Sequence, residues 1–546
     1  MSHRHLATTL ELVADVVPEQ TAFVHGDLRR SWREFDLRAA RLAAAIQAMG
    51  VGVGDTVAIA MYNCPQWLEA FYAALKIRAV PANVNYRYRD EEMRYLLEDC
   101  SAVALVFHAS LADTLQCIRD RLSNIRLWIM VDDTGQPIDM TGIYDIESLI
   151  LKYKPAARIE RPETESYISY TGGTTGLPKG VLYRLSLTTL TAPRFVNHIF
   201  GKSFDTYVDT IEVATQLRDE GVQLISVVAP PLMHSTGLSI TAIPTLAVGG
   251  TVVTMATTSF NPHHTLAEIE RTAANRLTIV GDAFARPLLA ALEEGRPGGG
   301  AYDCESLRLV ASSGAALTAS SKEQLLKHWP QVVLMESCGA TEGVSLGVRV
   351  NRRGDRLKTA SFTAAPGVMV VDEKHNPLPR QIGCDGLLAG PAVTTGYLND
   401  PQKTAERYTS INGVLYAIPG DYGRLEADGT LTLLGRGATV INTGGEKVYP
   451  EEVEDRIKHM RGVFDALVIG MPDERLGQKV TAVVHTTGHA GLSGEKIREY
   501  VKQHLAGYKA PRQIVFVEGI PRGPNGKADY PKVRQLLDEA LSSDDA

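Results

Sequence analysis

The chain has 546 residues, more than one hydrophobic core usually organises, so at least two domains are expected. Its 44% apolar and 22% charged content is that of a soluble globular protein, and a formal charge of −7 disfavours a nucleic-acid binder, which carries a basic excess. No apolar run reaches the roughly 18–20 residues of a membrane helix, and MSHRHLATTLELVADVVPEQ at the start lacks the apolar core of a secretory signal.

In chain order, Phe35, Ala39, Leu42, Ile46 and Met49 recur at alternating spacings of four and three before Gly50, which predicts one apolar helical stripe with a C-terminal stop. Short apolar runs then predict strands at VALVF (103–107), LWIMV (127–131), LISVV (224–228), GTVVTM (250–255), LTIVG (277–281) and LRLVA (307–311). Helical patterns such as TLAEIERTAANR (265–276) lie between several of them. Strands alternating with helices indicate an α/β architecture with substantial parallel sheet. EEGRPGGGAYD (293–303) reads as a surface loop, and GRLEADGTLTLLGRG (423–437) as a hairpin around Asp428-Gly429. About a hundred residues with their own helices and strands follow, and a domain boundary is expected near 436–440. Six cysteines, at 64, 100, 117, 304, 338 and 384, form no CxxC pair, which fits neither a disulfide framework nor a zinc knuckle. A cytoplasmic, reduced protein is the expectation.

YTGGTTGLPKG (170–180) is too rich in glycine to be a helix or strand interior. The alternating ESYISY (165–170) predicts a strand that leads into it. Glycines let successive backbone N–H groups turn toward one anion, Thr171, Thr174 and Thr175 add hydroxyl donors, and Lys179 adds a mobile positive charge. It is not a Walker A loop, because Leu177 and Pro178 separate Gly176 from Lys179. From these residues alone a polar hairpin remains as good a reading as a phosphate cradle.

The full string resembles that of the adenylate-forming superfamily, which holds acyl-CoA synthetases, peptide-synthetase adenylation domains and firefly-type luciferases. Four further segments, in the superfamily's order and spanning most of the chain, carry the same resemblance: ESCGATEG (336–343) with SSGAAL (312–317), PGDYGRLEADG (419–429), GRGATVINTGGEKVYPEEVE (435–454) and PRGPNGKADY (521–530). The resemblance implies a large, multi-subdomain N-terminal domain over 1–437, with sheets flanked by helices, and a small α+β C-terminal domain over 438–546 that rotates about a hinge.

It also implies site residues. Thr171, Gly172, Gly173, Thr174, Thr175, Gly176 and Lys179 would hold phosphates, with Thr171 and Glu342 serving Mg²⁺. Ser313, Gly314, Ala315 and Ala316, with Glu336, Ser337, Cys338, Gly339 and Thr341, would wall the adenine, although Cys338 stands where relatives carry a stacking aromatic residue. That departure should cost on the order of 1 kcal/mol of stacking. Asp421 and Arg436 would fix the ribose. His234, in APPLMHSTG (229–237), marks the acyl side with Ser235, Thr236 and Gly237, and a packed turn histidine remains the other reading. Val280, Gly281 and Asp282 border the same pocket. Gly444, Gly445 and Glu446 would line the pantetheine tunnel. The hinge falls at Thr439, with Ala438 and Thr439 in place of the usual Lys-Asp. Lys527 would neutralise the carboxylate and the α-phosphate.

PANVNYRYRDEEMRYLLED (81–99) and TIVGDAFARPLLAALEEG (278–295) narrow the resemblance to bacterial ligases of fatty acids and steroid side chains. The implied reaction uses ATP, Mg²⁺ and coenzyme A on a monocarboxylic acid with an apolar body, and a homodimer is compatible with it. Loading of a carrier-protein phosphopantetheine, oxygen as the acceptor, and a non-catalytic nucleotide-binding regulator stay open beside it.

Overall fold

The computed structural model describes residues 4–138, 140–171, 178–205, 208–379, 384–436, 440–443, 446–473, 476–488, 492–505, 507–523 and 526–544. Gly172, Gly173, Thr174, Thr175, Gly176, Thr439, Gly444 and Gly445 lie outside them, as do the side chains of Thr171, Arg436 and Glu446.

Apolar runs become strands wherever both faces of a sheet are covered. Strands Thr21–His25, Thr251–Thr254, Ile225–Val228, Arg276–Ile279, Leu309–Ser313 and Val333–Ala340 lie side by side in that order, all parallel. They form the parallel part of a 15-stranded sheet, with Leu28–Ser31 antiparallel beyond Thr21–His25 and the strands from Val344–Asn351 onward antiparallel at the other side. A second sheet has eight strands, with a parallel run Ser166–Thr171, Val80–Asn83, Thr56–Ala60, Ala102–His108, Leu127–Val131 and Ile143–Asp145. A third, five-stranded sheet begins at Ile441–Thr443, after the last strand of the large sheet ends at Arg436. All six apolar runs appear as strands within a few residues of their expected positions. The expected hairpin forms between Asp421–Leu425 and Thr430–Arg436, with Gly429 at φ +85° and Asp428 accepting from the Thr430 N–H at 2.8 Å.

The expected helical stripe is the helix Trp32–Ala48. Ser31 and Glu34 close its N-terminus as a capping box, and Phe35, Ala39, Leu42 and Ile46 are fully buried. ESCGATEG sits at a strand's end: Val333–Ala340 continues through its first five residues, and Val344–Asn351 pairs back along it with a bulge at Cys338/Gly339. No disulfide joins any of the six cysteines among the described residues.

Two asparagines join the first sheet to the second. Irregular backbone at 228–233 is largely buried between them and cannot complete its own hydrogen bonds. Asn63 donates to Pro230 O at 2.9 Å and accepts from the Leu232 N–H at 2.7 Å. Asn83, at the end of its strand, accepts from the Tyr170 N–H at 2.6 Å and donates to Met233 O. The strand that leads to the glycine-rich loop and the histidine segment are thereby held at one place. Each buried backbone group left unsatisfied costs about 1–3 kcal/mol, so Asn83→Ala should lower stability by a few kcal/mol. A urea-unfolding midpoint equal to that of the parent would show that the amide carries no such load.

Candidate active site

The parallel strands of the large sheet end together, and the crevice beyond their carboxyl ends is where such sheets bind ligands. Three turns meet there. Gly314, at φ +89°, brings its Cα close enough that a Cβ would lie 3.4 Å from Thr236 Oγ1 and 3.5 Å from Val280 Cγ1. Gly281, at φ +50°, has no room for a side chain, since a Cβ would fall 2.3 Å from Ala316 O. The Gly281 N–H donates to Ser312 Oγ at 3.0 Å and the Asp282 N–H to Ala316 O at 2.9 Å. Gly237 is equally confined, 2.2 Å from Pro231 O by the same measure. Segments 234–237, 280–282 and 312–316, separate in sequence, thus form one wall. Ser313 Oγ donates to Ser337 O at 3.0 Å and extends it to the next strand, where Cys338 is buried.

Two carboxylates read as part of this wall face inward. Glu336 pairs with the fully buried Lys322, and burial pushes its carboxyl up to about 7 against the pull of that lysine. Asp282 accepts from the Thr318 N–H at 3.0 Å and from Arg286 Nε at 3.0 Å. Both contribute to the crevice through backbone position, because an unpaired buried charge would be costly.

His234 has an Nε2 atom that is buried and, among the described residues, without a hydrogen-bond partner. Burial, then the charges of Lys527 and Arg87, hold its imidazole down at about 4, so it is neutral at pH 7. A histidine depressed in this way favours folding above its unfolded value of 6.5, and that contribution is lost as the pH falls toward 4. A neutral, buried Nε2 of this kind is a place for a polar atom of a ligand.

The other half of the site surrounds Lys179 and Glu342. Strands Ser166–Thr171 and Lys179–Arg184 form a hairpin whose last pair is Thr171 opposite Lys179, so the glycine-rich loop is the hairpin's connection. Tyr397 donates its phenol to Glu342 Oε1 at 2.8 Å, while Tyr408 at 3.2 Å and Thr394 at 2.5 Å donate to the Glu342 carbonyl. Tyr183 donates to Thr341 O at 2.8 Å. Burial first, and then the Glu342 carboxylate, raises the Tyr397 phenol above its ordinary value, and burial raises Tyr408 to about 12. Both therefore remain donors at neutral pH. Gly343, at φ +71°, lets the chain pass Thr394, which a Cβ would strike at 2.2 Å. Lys179 Nζ pairs with Asp400 and lies 5.7 Å from the Tyr397 ring centroid.

Asp421 is buried and stands directly opposite Arg436 across an antiparallel pair, which puts both at the same end of the hairpin. Lys527 is exposed on a closed turn, and the residue before it, Gly526, packs against Val280 and Ala283 of the wall. Sequence reading missed Asn63, Asn83, Tyr183, Thr394, Tyr397, Asp400 and Tyr408. TTGYLND (394–400) carries three of them with no periodicity or glycine pattern to single it out.

A Mg²⁺ ion usually takes one or two carboxylates plus substrate phosphates and water. Glu342, an oriented hard oxygen donor, fits that demand, and among the described residues no cluster of three His, Cys, Asp or Glu offers an all-protein cage.

Residues 10–398 match the family of AMP-binding enzymes, and residues 452–527 match the AMP-binding enzyme C-terminal domain. The chain is 35% identical over 535 residues to the 3-oxocholest-4-en-26-oate–CoA ligase of Rhodococcus rhodochrous, covering 96% of this chain and 94% of that one. It is 34% identical over 547 residues to the medium/long-chain-fatty-acid–CoA/3-oxocholest-4-en-26-oate–CoA ligase of Mycolicibacterium smegmatis, covering 98% and 97%. Its fold is shared with the anthranilate CoA ligase AuaEII, solved in complex with anthranoyl-AMP, at a TM-score of 0.84 and 21% identity over 99% of this chain and 100% of that one. With both family regions matched in order around a crevice of this geometry, the chain belongs to the AMP-binding enzyme family.

Proposed function

We propose that the protein is an ATP-dependent acyl-CoA ligase that activates a hydrophobic monocarboxylic acid, of the fatty-acid or steroid side-chain class, through an acyl-AMP intermediate. The observation that carries the reading is the placement of the Lys527 turn on Val280 and Ala283, with the lysine's charge felt by a neutral His234. The names of its full-length relatives support the choice of acid.

In the first half, a carboxylate oxygen attacks the α-phosphorus of ATP, the bond to the β-phosphate bridging oxygen breaks, and pyrophosphate leaves. Two anions must approach, so fixed positive charge and donors lower the barrier. Lys179 and the Thr171–Gly176 loop bind the leaving phosphates, and Lys527 holds the carboxylate against the α-phosphate. Mg²⁺, bound through Glu342, would neutralise phosphate charge. Asp421 and Arg436 orient the ribose, and the 313–316 and 336–341 segments enclose the base. In the second half, residues 438–546 turn about Thr439, withdrawing Lys527 and presenting the Gly444–Glu446 face. The thiol of coenzyme A, its proton passing to solvent, attacks the acyl carbonyl, and AMP leaves with the bonding pair.

On this reading three segments border the acid: His234–Gly237, Ile279–Asp282 and Ser312–Ala316. The single carboxylate among them, that of Asp282, is committed to Thr318 and Arg286. They carry no lysine or arginine for a second acid group, which favours a monocarboxylate.

A screen of fatty, aromatic and steroid acids for pyrophosphate release, followed by thioester formation with free CoA, tests the reading. Release with apolar acids and rapid acyl-CoA formation are expected, and release without transfer to free CoA would favour a carrier-protein acceptor. Lys527→Ala should abolish adenylate formation and leave transfer from supplied acyl-AMP largely intact. Equal loss of both steps in a folded variant would overturn the assignment of Lys527. Lys179→Met should raise KM for ATP about ten-fold or more, the worth of a charge-assisted hydrogen bond. Asp400→Asn, which keeps the helix cap but removes the competing charge, should lower it about two- to five-fold, as expected for a partly exposed ion pair. A KM for ATP raised by Asp400→Asn would show that Asp400 supports phosphate binding.

A further inference from the structure

We propose that Arg522 and Arg286 are positioning residues for Lys527: Arg522 shapes the turn that carries it, and Arg286 docks that turn's surroundings onto the wall of the active site. The inference rests on the ligase reading above.

The Lys527 turn is closed by its own backbone. Gly523 N–H donates to Lys527 O at 2.8 Å, Gly526 N–H to Gly523 O at 2.9 Å, and Arg522 and Ala528 face each other across a β-bridge. Arg522 adds a third constraint. Its Nε and Nη2 reach Asp465 Oδ2 and Oδ1 at 2.9 and 3.1 Å, and its Nη1 donates to the carbonyl of Gly526, immediately before Lys527, at 2.9 Å. A planar guanidinium can make this bidentate pair and a separate bond at once, which an ammonium cannot. Asp465 is well buried, and burial alone would raise its carboxyl. Lys458, Arg522 and Arg286 outweigh burial and hold it below its ordinary value, so it is ionised where Arg522 needs it.

Arg286 comes from the other side. It lies in the helix Gly281–Glu294, directly after the wall residues, and Asp282 one turn earlier orients it through Nε at 3.0 Å. Asp282 is itself fixed by the N–H and hydroxyl of Thr318. The Nη1 of Arg286 donates to the carbonyls of Val463, at 3.3 Å, and Phe464. Val463 and Phe464 open the long strand Val463–Asp473 that also bears Asp465. Val280, Ala283 and Arg286 share one helical face, and a Cβ at Gly526 would lie 2.9 Å from Ala283 Cβ and 3.2 Å from Val280 Cγ1. One face of one helix therefore receives both the Lys527 turn and the strand that anchors Arg522.

The two arginines have separable effects. Arg522 acts inside the part that moves, so it sets where Lys527 points in the docked orientation. The carbonyl bonds of Arg286 exist only in that orientation, so they bias the equilibrium toward adenylate formation. Sequence gives no hint of the second role, since Arg286 sits on an ordinary amphipathic helix.

The test compares Arg522→Gln, Arg286→Gln and Arg286→Lys in the full chain, all with thermal unfolding recorded. A misplacement of about 1 Å at a reacting centre costs roughly 100-fold, so both glutamine variants should lose about 10- to 100-fold in kcat for acid-dependent pyrophosphate release, with KM for ATP nearly unchanged. Arg286→Gln should leave transfer from supplied acyl-AMP to CoA nearly intact, and Arg286→Lys should restore part of the first step. Gly526→Ala, which removes no charge, should reproduce the loss by pushing the turn off Ala283. A donor–acceptor dye pair on the helices Ala319–His328 and Gly494–His504 reports docking without turnover. Arg286→Gln should shift its distribution away from the docked distance and Arg522→Gln should not. An unchanged dye distribution in Arg286→Gln, or equal loss of both half-reactions, overturns the proposal. The dye measurement scores docking even where no acid is turned over, which separates this failure from failure of the ligase reading.

Discussion

The site depends on two side-chain amides that complete hydrogen bonds a buried, irregular stretch of backbone cannot make for itself. Residues 228–233 must leave a parallel strand, pass Pro230 and Pro231, and deliver His234 to the crevice. Prolines lack an N–H, and irregular backbone lacks a ladder, so carbonyls and amides along this stretch need partners from elsewhere. Asn63 and Asn83 supply them from the neighbouring sheet. Because Asn83 also binds Tyr170, the same amide ties the strand before the glycine-rich loop to the histidine segment. Two sheets that share one apolar core, with Val228 and Val252 of the first and Ile59 and Tyr167 of the second in the same cluster, then support a site built from the ends of both.

On that support, charge is arranged so that little of it is loose before ligand arrives. Lys179 rests on Asp400, Glu342 is held by Tyr397, and His234 is kept neutral. Neutral phenols and a neutral imidazole can sit close to anions without repelling them or needing counterions. Lys179 has a partly exposed partner in Asp400, and an ion pair of that kind is exchanged at modest cost. The buried pair Lys322 with Glu336 and the partly buried pair Arg286 with Asp282 are already matched within the protein and hold its strands and helices in register.

The wall is also a docking surface. Gly281 and Gly314 take positive φ angles that bring three turns together without side chains between them, and the helix that begins at Gly281 presents its first turns to the segment carrying Lys527. On the proposed reading, in which Lys527 serves the first step and withdraws for the second, a turn oriented by directional contacts suits the part: among the described residues, backbone carbonyl acceptors and one glycine contact lie on one helix face and would leave less to break than a large apolar interface.

Much of this was legible in the sequence, because local order follows from local chemistry. Apolar runs at 103–107, 127–131 and 307–311 read as buried parallel strands, the stripe from Phe35 to Met49 as a helix, and Asp428-Gly429 as a hairpin turn, each through its own periodicity or φ requirement. The ordered string of glycine, threonine, carboxylate and lysine motifs identified the reaction class. What those motifs could not state is which groups each one faces. Glu336 and Asp282 look like site carboxylates in a motif, yet tertiary packing turns one toward the buried Lys322 and the other toward Arg286. Asn83, Tyr397, Asp400 and Arg286 carry no pattern at all, since their importance comes from partners tens to hundreds of residues away. The sequence by itself determined the elements, the family and the chemical inventory. Only the tertiary structure decided which charges are neutralised, which amides bridge the two sheets, and which helix face receives Lys527, because those are properties of distances that no local pattern encodes.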